Sequence, residues 1–179
     1  MLKKGMTALV TGGSGGIGSA VVKTLAARGV TVIAASNDDD KLKALEGIEN
    51  VETCLVDVRD FTKLKELFGG REIDAVINAA GVLGVTGTIY SVPHESAQEI
   101  LDVNVVGIHN VLSSVVPGMV ERNRGHIVNI GSLAGPYPSA GQPMYSASKA
   151  AVHNMSANLR MELFGTDVKV TEIRPGRVR

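Results

Sequence analysis

Short apolar runs alternate along the chain with stretches whose apolar residues recur at helical spacing. The runs are Met6 to Val10, Thr31 to Ala35, Glu52 to Val56, Ala75 to Asn78, His126 to Ile130 and Val168 to Ile173. Runs this short, bounded by Gly, Asn, Asp or Ser, read as buried strands. Between them, Ser19 to Arg28 reads as a helix closed by Gly29, and a short helix is expected through about Leu45. Phe61 to Phe68, Glu95 to Glu121 and Tyr145 to Leu163 complete the helical set. Ser91 or Pro93 supplies the start signal of the long helix, and Gly107 is a candidate irregularity within it. Asn104 stands in its middle, where Asn is neutral to unfavourable; the flanking Val103, Val105 and Val106 argue that it is buried. Strand and helix alternate throughout, which calls for a parallel sheet with helices on both faces in one α/β domain spanning residues 1–179.

Composition narrows the function classes. Lys plus Arg number 18 and Asp plus Glu number 18, so the net charge of zero argues against a nucleic-acid or anionic-membrane binder. Aromatics make up only 3%, with no Trp, which leaves little for stacking on single-stranded bases. Cys54 is the single cysteine, so no disulfide forms within the chain; in its apolar run it is expected to be a buried small residue. The four His residues lack ligand spacing, so no metal site is expected. The N-terminus runs straight into a strand without a visible signal peptide or span, and a cytoplasmic location is expected.

Three stretches carry candidate chemistry. The first strand ends in Thr11-Gly12-Gly13-Ser14-Gly15-Gly16-Ile17-Gly18, just before a helix. Strand, glycine turn and helix is the context in which backbone N–H groups and a helix N-terminus receive a pyrophosphate. No Gly-Lys-Ser/Thr follows, so the loop is not of the nucleoside-triphosphate type. At the tip of the second strand, Ser36-Asn37-Asp38-Asp39-Asp40 would meet an adenosine ribose. Ser36 and Asn37 supply neither the acid that would hold a 2′-hydroxyl nor the Arg that would accept a 2′-phosphate; the three following aspartates would repel a phosphate, so NAD is favoured over NADP. The same residues also suit a plain helix start. Third, Tyr145 and Lys149 stand four apart on a helix, hence on one face. A fixed cation beside a phenol favours the phenolate, which makes an acid/base able to work near neutral pH.

Together these residues resemble the short-chain dehydrogenase/reductase family, in its compact rather than its extended, epimerase-like branch. The matching motifs are Thr11-Gly12-x-x-x-Gly16-x-Gly18, Asp57-Val58, Asn78-Ala79-Ala80-Gly81, Asn104, Ser132, Tyr145-x-x-x-Lys149 and Pro175-Gly176, all in family order. A looser likeness to bacterial 3-hydroxy acid (serine-type) dehydrogenases lies in Val116 to Asn123 and Asn129-Ile130-Gly131-Ser132. The resemblance implies a Rossmann-type, doubly wound sheet of strand order 3-2-1-4-5-6. It implies an oxidoreductase that moves a hydride between NAD or NADP and a secondary alcohol or ketone, a 3-hydroxy acid among the candidates. The alternative is a non-catalytic dinucleotide-binding or regulatory protein of the same fold.

The resemblance also implies roles. Gly12, Ser14, Gly16, Ile17 and Gly18 belong to the pyrophosphate turn, Ser36 to the ribose contact, and Asp57 and Val58 to the adenine. Asn78, Ala80 and Gly81 border the cofactor, and Pro175 and Gly176 pass near the nicotinamide. Tyr145 is the acid/base, and Ser132 hydrogen-bonds the substrate oxygen. Lys149 lowers the tyrosine pKa and holds the nicotinamide ribose, while Asn104 supports a water-linked relay to Lys149. Apart from the resemblance, Arg177 could meet a substrate carboxylate, which would suit a hydroxy acid, but an exposed arginine at the chain end is the reading favoured over it. Pairing through the Glu95–Glu121 and Tyr145–Leu163 helices is expected to make a homodimer or homotetramer. Two departures stand out: Ala79 replaces the family's second Asn, and Asn37 and Asp38 stand where hydroxy-acid relatives carry basic residues. The family pattern continues past Pro175-Gly176, so the seventh strand and the substrate-covering segment are expected to be missing from a chain that ends at Arg179.

Overall fold

The computed structural model describes residues 2–176, so Arg177 lies outside the described residues. Six parallel strands form one sheet in the order β3-β2-β1-β4-β5-β6. They are β1 (Thr7–Thr11), β2 (Thr31–Ser36), β3 (Val51–Leu55), β4 (Ala75–Asn78), β5 (Gly125–Ile130) and β6 (Val168–Ile173). The helices are α1 (Gly16–Ala26), α2 (Asp39–Lys43), α3 (Phe61–Phe68), α4 (His94–Leu101), α5 (Gly107–Glu121) and α6 (Pro143–Glu162). The expected strand order holds, and β6 forms one edge.

Side chains alternate across a strand, so each central strand feeds two cores. Ala8 and Val10 of β1, with Val32 and Ala34 of β2, pack on Val22 and Ala26 of α1 and on Leu42 of α2. Leu9, Ile33, Val76 and Ile127 point the other way, against Leu64 and Phe68 of α3 and Val111, Val115 and Met119 of α5. Each such side chain, fully buried, contributes about 1.5–3 kcal/mol. Continuous apolar strands are therefore what a sheet covered on both faces requires.

The long helical region departs from expectation. Between α4 and α5 a π-helical turn spans Asp102–Val106, centred on the fully buried Asn104. Gly107 is not the irregularity. It opens the regular helix that follows, where an added Cβ would stand 2.6 Å from Val58 Cγ2. From His94 to Glu121 this region is long and apolar enough to cross a membrane by length and composition, yet Ile100, Ile108, Val111, Val115 and Met119 are buried inside the fold. Two further boundaries shift. The first helix begins at Gly16 rather than Ser19, and the last begins at Pro143, whose ring suits the first turn of a helix. Cys54 is half-buried rather than buried, and that burial still pushes its thiol up.

Candidate active site

The glycine turn packs where β1 meets α1. Gly12 has φ +62°, and a Cβ there would stand 2.7 Å from the Ala80 nitrogen. Gly18 has no room either, because its Cβ would run into the Gly12 carbonyl oxygen. Thr11 ties this turn to the end of β4: its carbonyl accepts from Ala79 N at 3.2 Å and its Oγ1 from Ala80 N at 3.4 Å. Gly15 caps α1 without a side chain, so the first-turn N–H groups meet no side-chain acceptor. A bare helix N-terminus behind a glycine turn is a fit for pyrophosphate oxygens.

At the tip of β2, Ser36 Oγ lies 2.7 Å from Ser14 Oγ and accepts from Asp38 N at 3.2 Å. Asn37 donates to Asp57 Oδ2 at 3.2 Å. Asp57, at the end of β3, is gripped by Arg59 through Nε and Nη2, at 3.0 and 2.6 Å. The Arg59 side chain first, helped by its backbone N–H and the Asn37 amide, holds the Asp57 carboxyl down at about 2. Asp38 is the N-cap of α2 and pairs with Lys41. Ser36, Asn37, Asp38 and Asp57 thus share one patch. The Arg59 guanidinium in it is already committed to Asp57. Val58 is buried, and its carbonyl accepts from Asn110.

The third cluster lies beyond the ends of β4, β5 and β6. A cleft of about 1020 Å³ is lined by Ile17, Gly81, Ser132, Tyr145, Lys149 and Pro175, among others. Gly176 also lines it, whereas Asn78 and Asn104 lie beneath it, buried. Lys149 is 5% exposed, its ammonium lies 5.7 Å from the centre of the Tyr145 ring, and it donates to the Ile130 carbonyl at 2.9 Å. Burial pulls its pKa down to about 8, and the negative charge of Glu172 acts the other way. Ser132 Oγ accepts from Ala134 N at 3.1 Å, which fixes the hydroxyl at the head of the loop after β5.

Asn104 makes three hydrogen bonds. Its Oδ1 accepts from Val82 N at 2.8 Å, and its Nδ2 donates to Val82 O at 2.9 Å and to Ser148 Oγ at 3.0 Å. The side chain therefore clamps the loop after β4 onto α6, and Lys149 is not among its partners. Asn78 Nδ2 donates to Asn129 Oδ1, and Asn129 Nδ2 donates to Ser156 Oγ, both at 2.9 Å. That buried chain fixes the end of β4 against β5 and α6. Ser148 and Ser156 were not among the sequence-predicted site residues, and Asn129 stood there only as part of a likeness, without a role. Their signal was a polar residue at a position that strand or helix patterning makes internal.

A family model described as short chain dehydrogenase matches residues 6–179. The NADP-dependent 3-hydroxy acid dehydrogenase YdfG of Salmonella typhi is 40% identical over 180 residues, covering 97% of this chain and 73% of the relative. The serine dehydrogenase of Escherichia coli superposes with TM-score 0.92 at 36% identity, over 96% of this chain and 82% of that one. An NAD+-bound xylitol dehydrogenase superposes with TM-score 0.92 at 27% identity, over 98% of this chain and 72% of that one.

Proposed function

The chain belongs to the short-chain dehydrogenase/reductase family, and from that premise we propose that its Ser132, Tyr145 and Lys149 interconvert a secondary alcohol and its ketone. It is an oxidoreductase acting on CH–OH groups. One observation supports this reading of the site most: a buried lysine beside a tyrosine, in a cleft shared with Ser132 and the glycine turn's Ile17. A nicotinamide dinucleotide bound there supplies or takes the hydride. Gly12, Ser14, Gly16, Ile17 and Gly18 would hold its pyrophosphate, and Ser36 the ribose. Asp57 and Val58 would meet the adenine, and Asn78, Ala80, Gly81, Pro175 and Gly176 would border the rest. Cofactor and catalytic residues would then share one domain.

The chain's own work is to manage one proton. In the reducing direction Tyr145 gives its phenolic proton to the substrate oxygen, and Ser132 donates a hydrogen bond to the same atom. Negative charge then grows on oxygens near the buried Lys149 ammonium, which stabilises it. Oxidation runs the same path backwards, with Tyr145 taking the proton. Asn104 acts at one remove, by holding Val82 and Ser148 around the lysine.

NAD is the cofactor this chain's residues favour. A 2′-phosphate at the tip of β2 would face the Asp38 and Asp57 carboxylates, and Asp57 already occupies Arg59. The YdfG relative is NADP-dependent, so the tip of β2 is where the cofactor preference of this chain is to be tested. A small secondary alcohol fits the cleft, and the relatives make 3-hydroxy acids the first class to try. The groove of about 830 Å³ between α5 and α6, lined by Leu112, Val116, Val120, Met155 and Leu159, supports pairing of two chains there.

The test is a titration of the purified chain with NADH and, separately, NADPH, followed by nicotinamide fluorescence, then turnover on a panel of secondary alcohols and 3-hydroxy acids. Saturable NADH binding with turnover is expected. Binding without turnover on any member of the panel would overturn the catalytic assignment.

A further inference from the structure

Lys149 and Tyr145 continue along α6 to His153, four residues on and so on the same face. His153 does not open into the cleft. Its Nδ1 lies 2.8 Å from Glu172 Oε2, and since a carboxylate only accepts, Nδ1 carries the proton. Arg174 Nε stands 3.4 Å from the same oxygen. The Glu172 side chain is 1% exposed although it sits on the edge strand β6. Its other oxygen, Oε1, is buried with no hydrogen-bond partner among the described residues. That oxygen is pressed against Gly131, where an added Cβ would come within 2.5 Å of it. The residue before Gly131 is Ile130, whose carbonyl receives the Lys149 ammonium, and the residue after it is Ser132. Lys149 and the unpartnered carboxylate oxygen therefore abut one two-residue piece of backbone at the end of β5.

A buried carboxylate with one unpaired oxygen is costly unless a nearby charge compensates it. His153 of α6 and Arg174, just past the end of β6, compensate Oε2. Among the described residues, the Lys149 ammonium is a further cation that the Glu172 charge favours, against the burial that disfavours it.

We propose that Glu172 is a positioning residue of the catalytic site: its buried carboxylate, anchored by His153 and Arg174, holds Lys149 in the ammonium form and buttresses the Gly131-Ser132 turn. The proposal rests on the reading of Tyr145, Ser132 and Lys149 given above. It extends that site to a third layer behind Lys149, built from β6 and the next turn of α6. It also assigns His153 a task, which is to keep Glu172 in place rather than to meet substrate. Glycine at position 131 follows from the same packing, since a side chain there would displace the carboxylate.

The experiment follows the Lys149 side chain directly by NMR, in the 179-residue chain labelled with lysine carrying 13C at Cε. The Lys149 signal is assigned by its absence in Lys149→Met. In the unmodified chain the titration midpoint is expected near 8. Glu172→Gln removes the charge at nearly constant shape and is expected to lower the midpoint by about one unit, whereas Glu172→Asp leaves it close to its starting value. A merely structural Glu172 would leave the midpoint unmoved in a folded Glu172→Gln chain, and that result overturns the proposal. Should Glu172→Gln not fold, Arg174→Leu reads the same coupling in the opposite direction. It leaves the carboxylate less compensated and raises the midpoint; an unmoved midpoint there also overturns the proposal. The readout does not depend on turnover. A chain that oxidises no alcohol while Lys149 responds to Glu172 would sink the functional reading and leave the electrostatic one standing.

Discussion

Between residues 7 and 73 the buried side chains are nearly all hydrocarbon, and Thr11 and Ser36 are the buried polar residues recorded there. Beyond that point Asn78, Asn104, Asn129, Ser148, Lys149 and Ser156 are all buried, most of them completely. Both halves belong to one sheet with the same parallel geometry. The first half only has to hold a turn and a strand tip in place, and packing does that. The second half has to hold a proton-transfer site, so it fixes polar groups against one another by hydrogen bonds between distant segments. Buried polar networks are high in stakes because each unpaired member costs stability. The β4–β5–β6 side is therefore shaped by chemistry, and the β1–β2–β3 side by stability.

The sharpest way to break this contrast is Tyr145→Phe. The fold is expected to survive, because the substitution removes one hydroxyl at the cleft. Turnover should fall by about 10²–10⁴-fold, while NADH titration changes little. Near-normal kcat would mean that the polar half was misread. The counterpart in the other half is Ile33→Ala. Ile33 is fully buried, and its loss should cost about 2–5 kcal/mol of stability, read as a lower urea midpoint, with kcat per folded molecule kept.

Lys149→Met tests both ideas at once. Burial holds the folded pKa near 8, against 10.5 for a lysine in water, so below pH 8 the folded chain carries a buried cation at a cost of about 3 kcal/mol. The unfolded chain binds more protons between pH 8 and 10.5, so wild-type stability should rise over that window. Lys149→Met escapes the cost. It should melt higher than wild type at pH 7, lose most of its activity, and lose its stability advantage as pH climbs through the window. A lower melting temperature at every pH would show that the lysine supports the fold through Ile130 and is no burden to it.

The smallest effect expected is at the tip of β2. Asn37→Arg removes a partner of Asp57 and adds a guanidinium where a 2′-phosphate would sit. NADPH binding should tighten relative to NADH by about tenfold, the worth of one charge-assisted hydrogen bond. No change in the ratio would place the ribose contact elsewhere.

The sequence reading was surest where the signal is local. Alternating apolar runs and helical spacing located every strand and helix to within a few residues. Tyr145 and Lys149 were legible as a pair because a single helix turn joins them. Ser148 and Asn104 are 44 residues apart, and Asn78 and Asn129 are 51 apart, so no spacing rule could join them. The π-helical turn at Asp102–Val106 was invisible for the same reason: it accommodates a buried Asn whose partners lie on other elements. Glu172 carries no local signal within the Val168–Ile173 run, because only packing reveals that its side chain is buried.

What the chain determined by itself was the alternation of elements, the glycine turn that a Cβ would jam, and the helix face shared by Tyr145 and Lys149. Those depend on backbone sterics and on periodicities of two and 3.6, which act over a few residues. The depressed pKa of Lys149, the Asn104 clamp, the Asn78–Asn129–Ser156 chain and the Glu172 buttress were decided only in three dimensions. Each is an interaction whose sign or size depends on burial, and burial is a property of the assembled layers rather than of any stretch of sequence.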